Sequence, residues 1–359
     1  MNYTKEALRL AKKGLGKTSP NPMVGAVIVK NGKIVGKGYH KRKGEPHAEV
    51  IALKEAGSKA KGATLYVNLE PCCHFGATPP CTQAIISAGI KEVHTSIKDP
   101  SPWVNGKGLS ELKEAGIKVL LGECEQEALE LNEAYFKWIN KGIPFVNLKA
   151  AITLDGKIAD LSSMEQGLHT YPGEEDSRWI TNECSRKFVH RLRSQVDAVI
   201  VGVGTVIADD PELTVRWGRG RNPKRIILDS HLRTPREARV LGSGCIIASI
   251  KKPTVNSQQS TVWQIKKDAN GKVDILEVLK RAAKENIQSI LIEGGREVFT
   301  ESLSRGIVDK VYFFIAPKLL GSGVPVIGDL GIEKIENAFS LTSVKFRKFG
   351  DNVLIEGNI

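Results

Sequence analysis

The sequence predicts an α/β protein built from two domains. Its 359 residues exceed one ordinary domain of about 100 to 200 residues. In both halves, short β-rich runs alternate with stretches whose apolar residues recur at helical spacing, the pattern of a partly parallel sheet carrying helices. Near the middle, NKGIP interrupts the alternation with Gly142 and Pro144, which sets a boundary near residue 143 and divides the chain into 1–143 and 144–359.

The opening segment MNYTKEALRLAKKGLGK places Lys and Arg among its apolar residues, so it reads as an amphipathic helix rather than a signal peptide. TSPNP turns the chain, and MVGAVIVKNGKIVGKGYH follows as two strands joined at Asn31-Gly32, a hairpin signal. PHAEVIALKEAG has helical spacing with Gly57 as its stop. ATLYVNLEPC is β-rich, PPCTQAIISAGI opens on prolines and closes on Gly89 like a helix, and KEVHTSI is strand-like. Gly108 to Ala115 reads as a short helix before the strand IKVLLG, and Glu125 to Asn140 as one continuous helix.

FVNLKAAITLDGKIA begins the second strand pattern. It is followed by a polar segment, a helix from about Cys184 to Arg193, the apolar run DAVIVGVGT, and the strands RIILD and GCIIAS. A helix near Ile275 to Glu285 then leads to SILIEGG and VYFFIAPKLLG. Lys251 to Asp274 shows little pattern. No internal repeat relates the halves, which predicts two different folds in one chain.

Composition narrows the function. Hydrophobic residues make up 41% and charged residues 26%. The longest nearly apolar stretch, Ala198 to Ala208, is interrupted by glycines and too short for a bilayer, so a cytoplasmic protein with no membrane partner is expected. The formal charge of +12, from 52 Lys+Arg against 40 Asp+Glu, can attract nucleic acid, anionic membranes or phosphorylated small molecules. The basic residues fall in scattered groups such as His40 to Lys43 and Arg216 to Arg225, which argues against a nucleic-acid role. Six cysteines are too few for a disulfide scaffold. Cys72, Cys73 and Cys81 crowd together and point to a metal, whereas Cys124, Cys184 and Cys245 are scattered and expected as core filler.

The chemistry concentrates in His47-Ala48-Glu49, at the start of a helix, and in PCCHFGATPPC further along. One His with two Cys holds zinc and leaves the fourth position open, which distinguishes catalytic from closed structural sites. The candidate thiolates are Cys72 or Cys73, together with Cys81; His74 is an alternative ligand. Cys81 follows Pro79-Pro80 at a helix start, where free N–H groups and the helix dipole stabilise a thiolate. Glu49 can point past the metal toward a substrate and carry a proton from water to a leaving amine.

H-A-E followed by P-C and a second Cys resembles the zinc-dependent cytidine deaminase superfamily. The nine-residue step between the thiols, with TSPNPMVGAVIV, GYH, GEPHAEV and LEPC, resembles the deaminase part of the bifunctional riboflavin-biosynthesis deaminase/reductase family. The second half, through KAAITLDGKIA, SRWIT, SRKFVHRLRSQVDAVIVGVGTVIADDPELTVR, LDS, IEGG and IAPKLLGSG, resembles that family's reductase part. The resemblance implies a cytidine-deaminase-like α/β/α domain followed by a dihydrofolate-reductase-like α/β domain. It implies zinc held by His47, Cys72 and Cys81, with Glu49 catalytic, and a pyrimidine pocket lined by Asn21, His40, His74 and Asp99. Two positions depart from the family: Ala77 replaces a basic residue, and Ser101 replaces the Asn of DPNP.

For the reductase, the resemblance places NADPH against Ile152, Trp179, Thr205, Asp209 and Ser230. It adds the run Gly295, Arg296, Glu297, Val298, Phe299, Thr300 and Glu301. The ribosyl-phosphate substrate falls to Ser177, Arg193, Leu213, Arg216 and Glu293, with Lys149 and Glu293 as candidates for polarising the sugar. The implied sequence of reactions is hydrolytic deamination of 2,5-diamino-6-ribosylamino-4(3H)-pyrimidinone 5′-phosphate, then NADPH reduction of the ribosyl group to ribityl. A homo-oligomer, dimer or tetramer, is expected. The competing readings are a nucleoside or RNA deaminase with an accessory domain and a zinc-stabilised nucleic-acid-binding module; neither accounts for the second half.

Overall fold

A computed structural model of the chain describes residues 2–76, 78–161, 179–218, 220–252 and 260–359. The chain divides into two compact units, Met1–Ile143 and Pro144–Ile359.

The first unit carries a five-stranded sheet. Its helices are α1 (Tyr3–Ala11), α2 (Ala48–Ala56), α3 (Cys81–Ser87), α4 (Lys107–Glu114), α5 (Glu125–Leu131) and α6 (Glu133–Lys141). The strands β1 (Gly25–Lys30), β2 (Lys33–Tyr39), β3 (Thr64–Leu69), β4 (Glu92–Ile97) and β5 (Lys118–Leu121) lie in the order β2-β1-β3-β4-β5. β1 runs antiparallel to β2 and β3, whereas β3, β4 and β5 are parallel. The β1–β2 turn uses Asn31 and Gly32 at φ 51 and 73, the left-handed pair that a tight hairpin requires. Ile28, Leu65, Val67 and Val93 pack on Ala48, Ala52, Ile85 and Leu112 across one face of the sheet. On the other side, Val27 and Val29 meet Ala7 and Leu10 of α1, while Leu69 and Ile97 meet Leu8 and Ala128. The result is an α/β/α sandwich.

Close packing sets the position of α2. A Cβ on Gly36 would lie 2.2 Å from the Ala52 carbonyl oxygen, and one on Gly38 2.2 Å from that of Ala48. Only a bare backbone admits α2 this near β2, and the contact fixes the N-terminal end of the helix, where His47 and Glu49 sit.

The helix expected over Glu125 to Asn140 is two helices, α5 and α6, meeting at Asn132. This buried side chain accepts the Met23 N–H at 2.8 Å and donates to the Met23 carbonyl at 3.0 Å, so the local backbone follows the loop it binds. The expectation of three scattered core cysteines is also corrected. Cys245 is buried, but Cys124 is half-buried and Cys184 exposed.

The second unit contains a nine-stranded sheet. Its strands are β6 (Phe145–Thr153), β8 (Ala198–Gly202), β9 (Lys224–Leu228), β10 (Cys245–Ser249), β11 (Thr261–Gln264), β12 (Ser289–Gly294), β13 (Lys310–Ala316), β15 (Thr342–Phe349) and β16 (Asn352–Asn358). The order is β11-β10-β9-β8-β12-β6-β13-β16-β15, parallel from β11 to β13 and closed by the antiparallel β16 and β15. A small antiparallel pair, β7 (Lys157–Ala159) with β14 (Val324–Pro325), lies apart. The helices are α7 (Glu183–Gln195), α8 (Val203–Asp209), α9 (Ile275–Lys284) and α10 (Arg296–Ser304). Val199, Val201, Ile227, Ile247 and Leu291 bury one sheet face against Leu192 of α7 and Val206 of α8. Part of the unpatterned stretch Lys251 to Asp274 proves to be strand β11; its residues 253–259 lie outside the described residues.

Candidate functional site

In the first unit, three elements converge. His47 caps the N-terminus of α2, Cys72 lies in the loop after β3, and Cys81 begins α3. His47 Nδ1 stands 3.2 Å from Cys81 Sγ and 3.5 Å from Cys72 Sγ, and the three donor atoms all lie within 4.8 Å of one another. Among the described residues, this is the cluster of His, Cys or acidic groups able to hold a metal. Ligands at about 2.0–2.3 Å from a tetrahedral zinc stand roughly 3.3–3.8 Å apart, so the two separations from His47 are close to those the ion requires. The helix start serves the other thiol: the Cys81 main-chain N–H points at Cys72 Sγ at 3.4 Å, so Cys72, and not Cys81 as expected, is the thiolate it favours. The Cys81 thiol, and then His47, hold the Cys72 thiol down at about 4, while the same contact pushes Cys81 up. Cys73 turns away, toward the Trp103 carbonyl at 3.8 Å.

Glu49 is buried two residues from His47, and its Oε2 has no hydrogen-bond partner among the described residues. Burial pushes its carboxyl up to about 7. Beside it, buried His40 bonds Asn21 Nδ2 at 3.0 Å through Nε2 and stands edge-on to His47, ring centroids 5.2 Å apart. Burial holds the His40 imidazole below its usual range. Asp99 is buried, accepting the Ser101 N–H at 2.8 Å and the Tyr135 hydroxyl at 2.9 Å. His74 is exposed on the loop between the thiols, and Ala77 lies outside the described residues.

In the second unit, the residues gather at the C-terminal ends of the parallel strands, where open α/β sheets bind ligands. Lys149 on β6 is half-buried, and burial, partly offset by Glu293, holds its ammonium below the usual range. Glu293 on β12 receives Arg193 Nε and Nη2 at 2.6 and 2.9 Å, so Arg193 is already committed to a bidentate ion pair. Arg216 is 44% exposed and meets Glu212 at 3.0 Å. Leu213 is buried with φ 56. Gly294 abuts Thr205, whose Cγ2 a Cβ there would meet at 2.9 Å, and Gly295 has φ 93. α10 then begins without a side-chain cap, leaving its first N–H groups open to an anion.

Other positions are less uniform. Ile152 is half-buried, Asp209 exposed at the end of α8, and Ser230 accepts the Val273 N–H at 3.0 Å. Trp179 is partly exposed under the Arg186 guanidinium. Of the α10 residues, Arg296 and Glu297 are exposed, and Glu297 pairs with Lys272. Val298 and Phe299 point into the core, so only their backbone can face a ligand. Thr300 accepts the Gly328 N–H, and Glu301 pairs with Arg305. Ser177 lies outside the described residues.

Residues 144–355 match the family model for the RibD C-terminal domain, and residues 1–97 match that for the cytidine and deoxycytidylate deaminase zinc-binding region. The chain belongs to the RibD family. It is a bifunctional deaminase and reductase of riboflavin biosynthesis. The RibD protein of Aquifex aeolicus is 46% identical over 357 residues, covering 99% of this chain and 97% of its own. That of Escherichia coli is 40% identical over 369 residues, covering 98% and 97%. The structure of Acinetobacter baumannii RibD superposes with a TM-score of 0.89 at 35% identity, covering 99% of this chain and 98% of its own. A Thermotoga maritima diaminohydroxyphosphoribosylaminopyrimidine deaminase/5-amino-6-(5-phosphoribosylamino)uracil reductase gives 0.85 at 38%, covering 99% and 97%.

Two residues beside the candidate deaminase site escape sequence reasoning. Tyr135 completes Asp99 from a helix 36 residues away. Glu70 accepts the N–H groups of Asp99, Gly106 and Leu109, tying the start of the Cys72 loop to the Asp99 loop. Glu70 stands in LEPC, a visible signal; Tyr135 has none.

Proposed function

We propose that residues 1–143 deaminate 2,5-diamino-6-ribosylamino-4(3H)-pyrimidinone 5′-phosphate and that residues 144–359 reduce the product's ribosyl group to ribityl at the expense of NADPH. The convergence of His47, Cys72 and Cys81 beside the unpartnered, buried carboxylate oxygen of Glu49 carries this reading. When bound, zinc supplies an activated water and NADPH supplies the reducing equivalents. His47, Cys72 and Cys81 hold the ion. Glu49 takes a proton from water and delivers it to the departing amine, a task its buried, unpartnered carboxylate oxygen is placed for. Asn21, His40, His74 and Asp99 line the pyrimidine, with Asn21 and His40 fixed by their mutual bond.

In the second unit, the open start of α10 with Gly294, Gly295 and Thr205 receives cofactor phosphate, and Ile152, Trp179, Asp209 and Ser230 line the remainder of that site. Arg216 takes the substrate phosphate. Arg193 holds Glu293 in place, and Lys149 and Glu293 face the opened sugar. Among the described residues no helix is long and apolar enough to cross a membrane. The six cysteines are unbridged, in keeping with a reducing compartment such as the cytoplasm. We take the working form to be a homo-oligomer acting on phosphorylated small molecules.

The test is mass spectrometry of the diaminopyrimidinone ribosyl phosphate incubated with zinc-loaded protein. The deaminated compound should form alone, and the ribityl product should require NADPH. Folded, zinc-replete protein that leaves the substrate unchanged would refute the deaminase assignment and point to Ala77 and Ser101.

A further inference from the structure

Residues 213–217 carry the exposed Arg216, and two side chains one helical turn apart strap this loop to α7. His190, 4% exposed, accepts the Arg216 main-chain N–H on Nδ1 at 3.0 Å. Arg193 donates from Nη1 to the Thr214 carbonyl at 3.1 Å and is itself clamped from behind by Glu293. The Trp217 ring stands edge-on to the same imidazole, centroids 5.0 Å apart. Arg216 itself reaches outward. Its neighbour Glu212 also pairs with Arg239, so two guanidinium groups share one carboxylate and the site keeps a positive charge.

We propose that His190 is a positioning residue for anion recognition: by holding the Arg216 main chain, its imidazole sets the direction from which the Arg216 guanidinium meets the phosphate of the reductase substrate. The inference rests on the reading of Arg216 as the phosphate ligand. Geometry defines the role. An N–H can donate to Nδ1 only while that nitrogen carries a lone pair, and the ring's hydrogen bond and edge-on contact are both with the loop, Glu293 acting on it only through its charge. Burial, and then the charges of Arg193 and Arg216, push the imidazole down to about 4, so the acceptor persists at neutral pH. The loop also needs the tie. Leu213 is held in the left-handed region, which a non-glycine residue rarely occupies.

The test uses the full chain with NADPH and compares two supplied substrates, the deaminated ribosyl phosphate and its dephosphorylated counterpart. Arg216→Ala should abolish the preference for the phosphorylated form; if that preference survives, the phosphate reading falls and the role of His190 with it. With Arg216 intact, His190→Ala should raise KM for the phosphorylated substrate about tenfold, the effect of one lost buried acceptor. KM for the dephosphorylated substrate, kcat and NADPH affinity should remain unchanged. Equal losses on both substrates would show a merely structural residue and overturn the proposal. Should His190→Ala fail to fold, His190→Asn and His190→Gln decide instead. Asn places an acceptor near the Nδ1 position and should retain the phosphate preference, whereas Gln should lose it. Equal behaviour of the two overturns the assignment.

Discussion

Gly38→Ala tests whether backbone packing, and not the ligands alone, places the deaminase machinery. A methyl group at Gly38 would lie 2.2 Å from the Ala48 carbonyl oxygen, 2.8 Å from the Ala52 nitrogen and 2.9 Å from Ile51 Cβ. Carbon–oxygen contacts settle at about 3.3–3.6 Å, so α2 must retreat from β2 by about 1 Å. Two of the three opposing atoms are backbone and the third is a β-carbon, so no flexible side-chain end can swing aside. Ala48 sits between His47 and Glu49, and both move with it. Overpacking of this kind costs about 1–3 kcal/mol in stability, and misplacing a catalytic group by about 1 Å costs on the order of 100-fold in rate. The assay is kcat/KM for deamination, with NADPH reduction of supplied deaminated substrate by the same protein as internal control. Deamination should fall about 100-fold, zinc retention should drop, and reduction should stay unchanged. A folded Gly38→Ala protein that deaminates at the wild-type rate would refute the reasoning.

Glu49→Gln should lower deamination by about 10²–10⁴-fold, the range for a lost general acid–base group, and spare reduction; loss of both activities in a folded variant would contradict separate sites. Extracting zinc with a chelator should likewise stop deamination alone, read by product mass with and without added metal. Phe314→Ala removes a fully buried ring that packs on Phe188 and Phe349 at 6.0 Å from each. It should cost about 3–5 kcal/mol and bring forward the thermal loss of reductase activity while leaving that of deaminase activity in place. His190 gives a pH signature. Its folded value, about 4, lies below the ordinary 6.5, so the unfolded chain binds the extra proton first and stability is lost as pH falls from 6.5 toward 4. His190→Asn should flatten that part of the stability–pH curve measured by denaturant unfolding of the second unit.

The features legible in the sequence are those whose cause is local. Asn31-Gly32 announces its hairpin because the turn needs two left-handed residues side by side. His47 and Glu49 are two positions apart, and Pro79-Pro80 marks the helix start beneath Cys81, so short stretches of chain are enough to reveal the metal chemistry. The rest depends on partners far along the chain. The break at Asn132 answers to Met23, 109 residues earlier, and the commitment of Arg193 to Glu293 spans 100 residues. Periodicity reports none of these.

The strand order of the second unit has a consequence for how the chain is made. β12 lies between β8 and β6, so the middle of the sheet stays open until residues 289–294 have left the ribosome. The first unit, by contrast, completes its sheet with β5 at residue 121 and can close while synthesis continues. During the interval the unpaired N–H and C=O edges of β6 and β8 wait without their shared neighbour, and such late, long-range parallel pairing is slow and prone to aggregation. The window for misfolding during synthesis is therefore longer in the reductase half than in the half that precedes it.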